Sequence, residues 1–238
     1  MVSGLGFLLS AALWAAAPAD GAGWLAHIDQ VAKVEDAHMV LELTVTDQRG
    51  DAAQRTIEIW QRGDAQRMVR MVAPSRLKGI GLLVTHGDTL HLFLPQFPPA
   101  RRVVGSSRAD AFMGTDFAVD DLARIRYADD YSAEVVGVEG ELTRLRLTPL
   151  VDTGSSAVDA WVGADGVIRR LDHFDKRGNV ARRITMDDVR AEGDALLAHR
   201  LEVTDLKRSR QTVAILQQAE INRGLSESLF SVTALENP

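Results

Sequence analysis

The side chains that could carry chemistry in this sequence are few and scattered. His86 and His91 stand five residues apart with Asp88 between them, and imidazoles and carboxylates are donors that a divalent metal accepts. They fall on a tight turn, where solvated side chains account for them equally well, so no metal site is assigned. Asp172, His173 and Asp175 have the composition of an acid–base group, but strand alternation puts at most two of them on one face. Asp116, Asp120 and Asp121 could hold a cation or share a proton. A helix start explains the same residues without chemistry, because a short side-chain oxygen such as that of Asp116 or Thr115 accepts from a free first-turn N–H, and carboxylates sit well near the positive end of the dipole. His27, His38 and His199 stand alone. There is no G-x-S-x-G elbow, phosphate loop, dinucleotide fingerprint or H-E-x-x-H pair. The chain contains no Cys, which removes disulfides, thiolate metal sites and a thiol nucleophile together. The expectation is a non-enzyme with no catalytic residue, metal or cofactor.

The elements that would position these residues are mostly strands. Trp24, Ile28 and Val31, with Leu25 and Ala32, recur at helical spacing, and one amphipathic helix is predicted over 23–37. The period then changes to two. Met39, Leu41, Leu43 and Val45 share a face. Segments 56–60, 66–72, 79–85, 89–94 and 101–104 follow with turn residues between them, a meander of about six strands. A short helix is predicted to start within 112–122. Six further strands are predicted at 133–138, 141–148, 156–162, 167–174, 180–189 and 195–204. Their connections are tight and glycine-bearing, as antiparallel hairpins require. The end, 212–235, begins as a strand and finishes as a loop or short helix. A sheet of ten or more strands must curl, close or split.

Residues 1–17 contain 13 apolar side chains, and the first charged residue is Asp20. The run is short for a bilayer-spanning helix and ends in Ala15-Ala16-Ala17, so it reads as a cleaved signal peptide. Residues 18–238 then form one domain, because no linker, repeat or charge block divides them. Of the 238 residues, 46% are hydrophobic and 25% charged, with a net charge of −6, a globular composition that lacks the global field nucleic acid requires. Within this acidic chain, the stretch 62–108 carries eight Arg or Lys (Arg62, Arg67, Arg70, Arg76, Lys78, Arg101, Arg102 and Arg108) against Asp64 and Asp88. That local charge could meet acidic lipid head groups or an acidic partner surface, and equally reads as solvated loops and strand edges.

The order of motifs is distinctive. Ala73-Pro74-Ser75-Arg76-Leu77-Lys78-Gly79 is followed by Leu90-His91-Leu92-Phe93-Leu94-Pro95 and Arg101-Arg102. Then come Phe112-Met113-Gly114-Thr115-Asp116-Phe117 and Asp121-Leu122. This series resembles the outer-membrane lipoprotein-sorting protein family, relatives of the periplasmic lipoprotein carrier LolA. The resemblance implies a mainly β fold with two or three helices: an unclosed antiparallel half-barrel covered by helices, holding acyl chains between sheet and helices. It implies a monomeric, non-enzymatic periplasmic carrier of lipid or lipoprotein acyl chains. Such a carrier makes transient membrane contact, is served by an inner-membrane transporter and binds no nucleic acid. An envelope sensor or transporter-accessory protein on the same fold is the alternative. No lipobox Cys is present, so a lipid anchor of its own is not expected. Moving a lipid tail through water costs about 0.8 kcal/mol per exposed CH₂, so a carrier must offer apolar surface. Candidates are Trp24 and Ile28 on the helix, with Leu41, Leu43, Ile57, Ile59, Met68, Leu82, Val84, Leu92 and Leu94 on the strands. A filled core is the competing reading of each.

Overall fold

The computed structural model describes residues 17–85 and 89–237. The signal-peptide reading of 1–17 therefore lies almost wholly outside the described residues, as do His86 and Asp88.

Among the described residues there are thirteen strands, with burial alternating over 41–46 and 55–62 as the period of two predicts. The first six are β1 (Asp36–Thr46), β2 (Ala52–Arg62), β3 (Gln66–Ala73), β4 (Gly81–Thr85), β5 (Thr89–Phe93) and β6 (Arg101–Val103). The last seven are β7 (Tyr131–Glu139), β8 (Leu142–Pro149), β9 (Ala157–Val162), β10 (Ile168–Phe174), β11 (Val180–Glu192), β12 (Ala195–Asp205) and β13 (Arg210–Ile221). They form one antiparallel sheet in the order β6-β5-β4-β3-β2-β1-β13-β12-β11-β10-β9-β8-β7. The two meanders are joined where the first strand pairs with the last, Leu43 opposite Ala214. The sheet is not closed, and β6 and β7 are its edges. Those edges are consecutive in the chain, so residues 104–130 must run from one side of the sheet to the other.

The sheet is curled. Strands β3 and β10 are six places apart, about 29 Å if the sheet were flat, yet side chains of both line one cavity. Register shifts at Val40/Leu41, Thr56/Ile57 and Val135/Gly137 supply local bends.

Among the described residues four short α-helices accompany the sheet: α1 (Gly21–Val31), α2 (Val119–Ala123), α3 (Tyr127–Asp130) and α4 (Val232–Glu236). None of the described helices is long and apolar enough to cross a membrane. Two helix expectations are corrected. The N-terminal helix begins at Gly21, because the Asp20 carboxylate accepts the Gly23 N–H at 2.8 Å, and it ends at Val31, short of the predicted 37. The mid-chain segment is not one helix: a 3₁₀ turn at Phe112–Gly114 precedes α2, whose N-cap is Ala118. Asp116 and Thr115 do not cap it. The Thr115 hydroxyl donates to the Phe112 carbonyl, and Asp116 is held by Thr212 of β13.

One apolar cluster spans both meanders. It includes Leu43, Ile57, Leu82, Leu147, Val162 and Val203 from the sheet, Trp24 and Ile28 from α1, and Phe112, Phe117 and Leu122 from the connection. A smaller cluster on the other face joins Met68, Leu83 and Phe93 to Phe230 and Leu235 of the C-terminal segment.

Candidate functional site

A cavity of about 280 Å³ opens within the main cluster. Ile28 and Val31 of α1, with Ala32 just after it, bound one side. Leu41, Leu43, Ile57 and Ile59 lie on the first meander, and Met186, Leu197, Leu201 and Leu216 on the second. Phe117, Leu122, Ile125 and Tyr127 come from the connection. Three charged residues, Arg67, Asp121 and Arg124, interrupt this apolar lining.

The charges are held in a buried network. Asp120 on α2 accepts from Arg108 at 2.8 Å and from Arg124, while Arg124 also reaches Asp130 at 2.8 Å and lies over the rings of Tyr127 and Tyr131. Asp121 pairs with Arg182 of β11 and accepts the Ala118 N–H at 2.8 Å. Burial alone would raise the Asp121 pKa, but Arg182, with His173 and Arg124, outweighs it and holds the carboxyl below its usual range. Burial pushes the Tyr127 phenol up, so it remains protonated. The Arg67 guanidinium is pulled down to about 10 by burial and remains a cation at neutral pH.

The structure separates the predicted lining residues by strand face for Met68 and by place along the sheet for the others. Ile28, Leu41, Leu43, Ile57 and Ile59 line the cavity. Trp24 and Leu82 are buried in the same cluster without reaching it, and Leu92 packs on that cluster's margin. Val84 belongs to the cluster but faces a polar cleft containing Asp64, Arg108 and Arg126. Leu94 borders a hollow with Arg76, Lys78 and Phe97. Met68 lies on the opposite face, against Phe230 and Leu235. The Arg62-Gly63-Asp64 turn sets Arg62 opposite Gln66, which puts Val69 and Met71 beside Ile59 and Ile57, and Met68 beside Trp60. That register was available from the turn. Arg124, Tyr127 and the second-meander residues were not singled out in the sequence, and Arg67 was named only among the eight bases of 62–108, because nothing local says that the sheet curls back on itself.

The motif segment divides similarly. Phe112, Phe117 and Leu122 are buried in the cluster. The Gly114 carbonyl accepts from Arg210 at 2.8 Å, on a backbone whose φ of 74° suits glycine, and Asp116 accepts the Thr212 hydroxyl at 2.7 Å. These contacts, with that of Asp121 to Arg182, fasten the connection across β13 and β11. Lys78 and Arg102 are exposed. Pro74 and Pro95 follow β3 and β5, and Gly79 N–H donates to the Met71 carbonyl at 2.9 Å.

The acid–base candidates are separated too. Asp172 is bound by Arg170 and Arg183 on one face, whereas His173 is buried beside the Asp121 network on the other. His173 Nδ1 lies 3.0 Å from the Ser155 hydroxyl, a serine–imidazole contact. Burial, then Arg182, depresses the His173 pKa to about 3, which makes it a poor proton acceptor for a serine at neutral pH. Among the described residues no group of three or more His, Asp or Glu could hold a metal.

A family model described as "Uncharacterized protein" matches residues 63–237, more than half of the chain. No curated protein matches this sequence. Among solved structures, a DUF1329 family protein from Desulfovibrio piger superposes with a TM-score of 0.83 at 21% identity, over 90% of this chain and 97% of that one. A domain assigned to outer-membrane lipoprotein-sorting proteins, from Vibrio parahaemolyticus, gives 0.82 at 18% identity, covering 91% and 98%. A LolA superfamily protein from Nitrosomonas europaea gives 0.78 at 16%, covering 90% and 98%. At these identities the likeness is one of fold.

Proposed function

From the premise that this chain belongs to the family matched over 63–237 and has the LolA-superfamily fold, we propose that it is a periplasmic, non-enzymatic carrier of acyl chains. The observation that carries this reading is the cavity lined by α1, the 104–130 connection and both meanders. A well-packed domain leaves few voids larger than a water, and a hollow lined mainly by apolar side chains is suited to apolar cargo. At roughly 30 Å³ per water-sized group, about 280 Å³ holds a stretch of some nine methylenes. At about 0.8 kcal/mol each, burying them supplies roughly 7 kcal/mol before ordering costs. That suits reversible loading and release. The helices and connection serve as the cover of the half-barrel, and a membrane transporter is the natural source or sink of cargo.

Gentle purification followed by native mass spectrometry tests the reading, with uptake of a fluorescent acyl probe after delipidation. Met186→Trp places a large side chain in the cavity and is expected to weaken uptake at least tenfold while leaving the fold intact. A delipidated wild type that takes up no acyl probe overturns the carrier reading. The alternative, an envelope sensor or transporter accessory, would then be favoured by β7, an edge strand with exposed Val135, Val136 and Val138.

A further inference from the structure

The charges around the cavity do not balance in pairs. Asp121 is matched by Arg182, and Arg124 by Asp120 and Asp130. Arg67 lines the same cavity and has no carboxylate within 4.0 Å among the described residues. Its acceptors are all neutral: Nη1 donates to the Leu122 carbonyl at 3.3 Å and to the Arg124 carbonyl, and Nη2 to the Gln61 amide oxygen. Its Nε–H is buried and has no partner. A guanidinium has five N–H donors, and three acceptors are accounted for. The buried Nε–H is open, and Nε and Nη2 form the edge of the guanidinium that takes a carboxylate or phosphate with two parallel bonds. The Tyr127 side chain lines the same hollow. An unmatched cation taken out of water is costly unless something supplies the counter-charge.

We propose that the cargo is an acyl chain bearing an anionic head group, a carboxylate or a phosphate, and that Arg67 is the residue that receives that head while the tail fills the hollow beside Leu41, Ile59 and Leu201. This rests on the carrier reading and specifies its cargo. The head exchanges water for a charge-assisted fork, and the guanidinium gains the anion it lacks.

Displacement of a fluorescent acyl probe from the delipidated full chain at pH 8 tests this, with dodecanoate, dodecyl phosphate, dodecanol and inorganic phosphate as competitors. Dodecanoate or dodecyl phosphate is expected to compete ten- to a hundredfold better than dodecanol, and the stronger of the two identifies the head group. Arg67→Gln should erase that preference, with circular dichroism and thermal unfolding reporting separately that the variant is folded; a folded variant that keeps the preference overturns the assignment. Arg67→Lys, which keeps charge but not the fork, should retain part of the preference. Equal competition by all three chains in the wild type overturns the head-group assignment and leaves the carrier reading intact, and this comparison needs no variant. Failure of every chain to compete overturns both. Displacement by inorganic phosphate alone at similar concentration overturns the acyl part of the assignment.

Discussion

At the scale of single residues, the buried polar groups are explained mainly by partners. Asp159 has no exposed side-chain surface, and Arg144 and Arg146 both bind it from β8. Trp161 lies between Arg144 and Arg170, whose guanidinium carbons are 5.2 and 4.1 Å from its ring centre. These groups form a ladder on the sheet surface. His173 is different, because it is buried and uncharged. Its pKa of about 3 in the folded chain lies below the ordinary histidine value near 6.5 in the unfolded one. Between those values the unfolded chain binds a proton that the folded chain does not. This group therefore makes stability fall as pH drops from about 6.5 towards 3, by up to about 1.4 kcal/mol per pH unit. Urea unfolding at pH 7, 5.5 and 4.5 should show a steeper loss for the wild type than for His173→Gln. Parallel losses would mean that His173 gains its proton without unfolding. Where the alternation is clean, Leu41, Leu43, Ile57 and Ile59 all border the one cavity. Residue-scale reading of the sequence misplaced attention at Gln66–Met71, where polar and apolar residues do not alternate and only the hairpin register assigns a face to Met68 and Arg67.

At the scale of elements, α1 and the 104–130 connection depend on the sheet. An 11-residue helix is marginal alone in water. Here α1 buries Trp24, Leu25 and Ile28, and its Asp29 carboxylate accepts the N–H groups of Tyr127 and Ala128 at 2.7 and 3.1 Å. Burial acts first to raise the Asp29 pKa, and those bonds offset only part of the rise. The first turn of α1 lies so close to β7 that a Cβ at Gly21 would fall 1.8 Å from the Ala133 carbonyl oxygen. Gly21→Ala must therefore push α1 off β7. We expect a loss of about 1–3 kcal/mol and faster proteolytic cleavage within 17–31. Unchanged stability and cleavage would show that α1 docks loosely. The helical period predicted α1 well, but not its C-terminus, which is set by where β1 must begin pairing with β2. The split of the mid-chain helix was likewise invisible, since Asp116 is claimed by Thr212, 96 residues away in sequence.

At the scale of the whole molecule, the pairing of β1 with β13 makes the two meanders one body. A single apolar cluster runs through both. Leu43 on β1 and Leu147 on β8 belong to it although they sit on different meanders. Leu43→Ala and Leu147→Ala should each cost about 2–5 kcal/mol and lower the same cooperative unfolding transition. Two transitions, each moved by only one of the variants, would show that the meanders unfold separately. The long sequence separation of this pairing also argues for slow folding, because loop closure precedes the contacts that reward it.

The strands, their turns and the absence of thiol chemistry were determined by the sequence alone, because alternation, glycine-bearing turns and composition are local properties. So was the motif series that pointed to the LolA fold. Tertiary structure alone decided which strand faces meet, because that depends on a 13-stranded sheet curling until β3 and β10 border one cavity. It alone decided that Arg67, one basic residue among eight in its stretch, lies inside without a counter-charge. Burial and charge balance are properties of the folded neighbourhood, and no pattern along the chain encodes them.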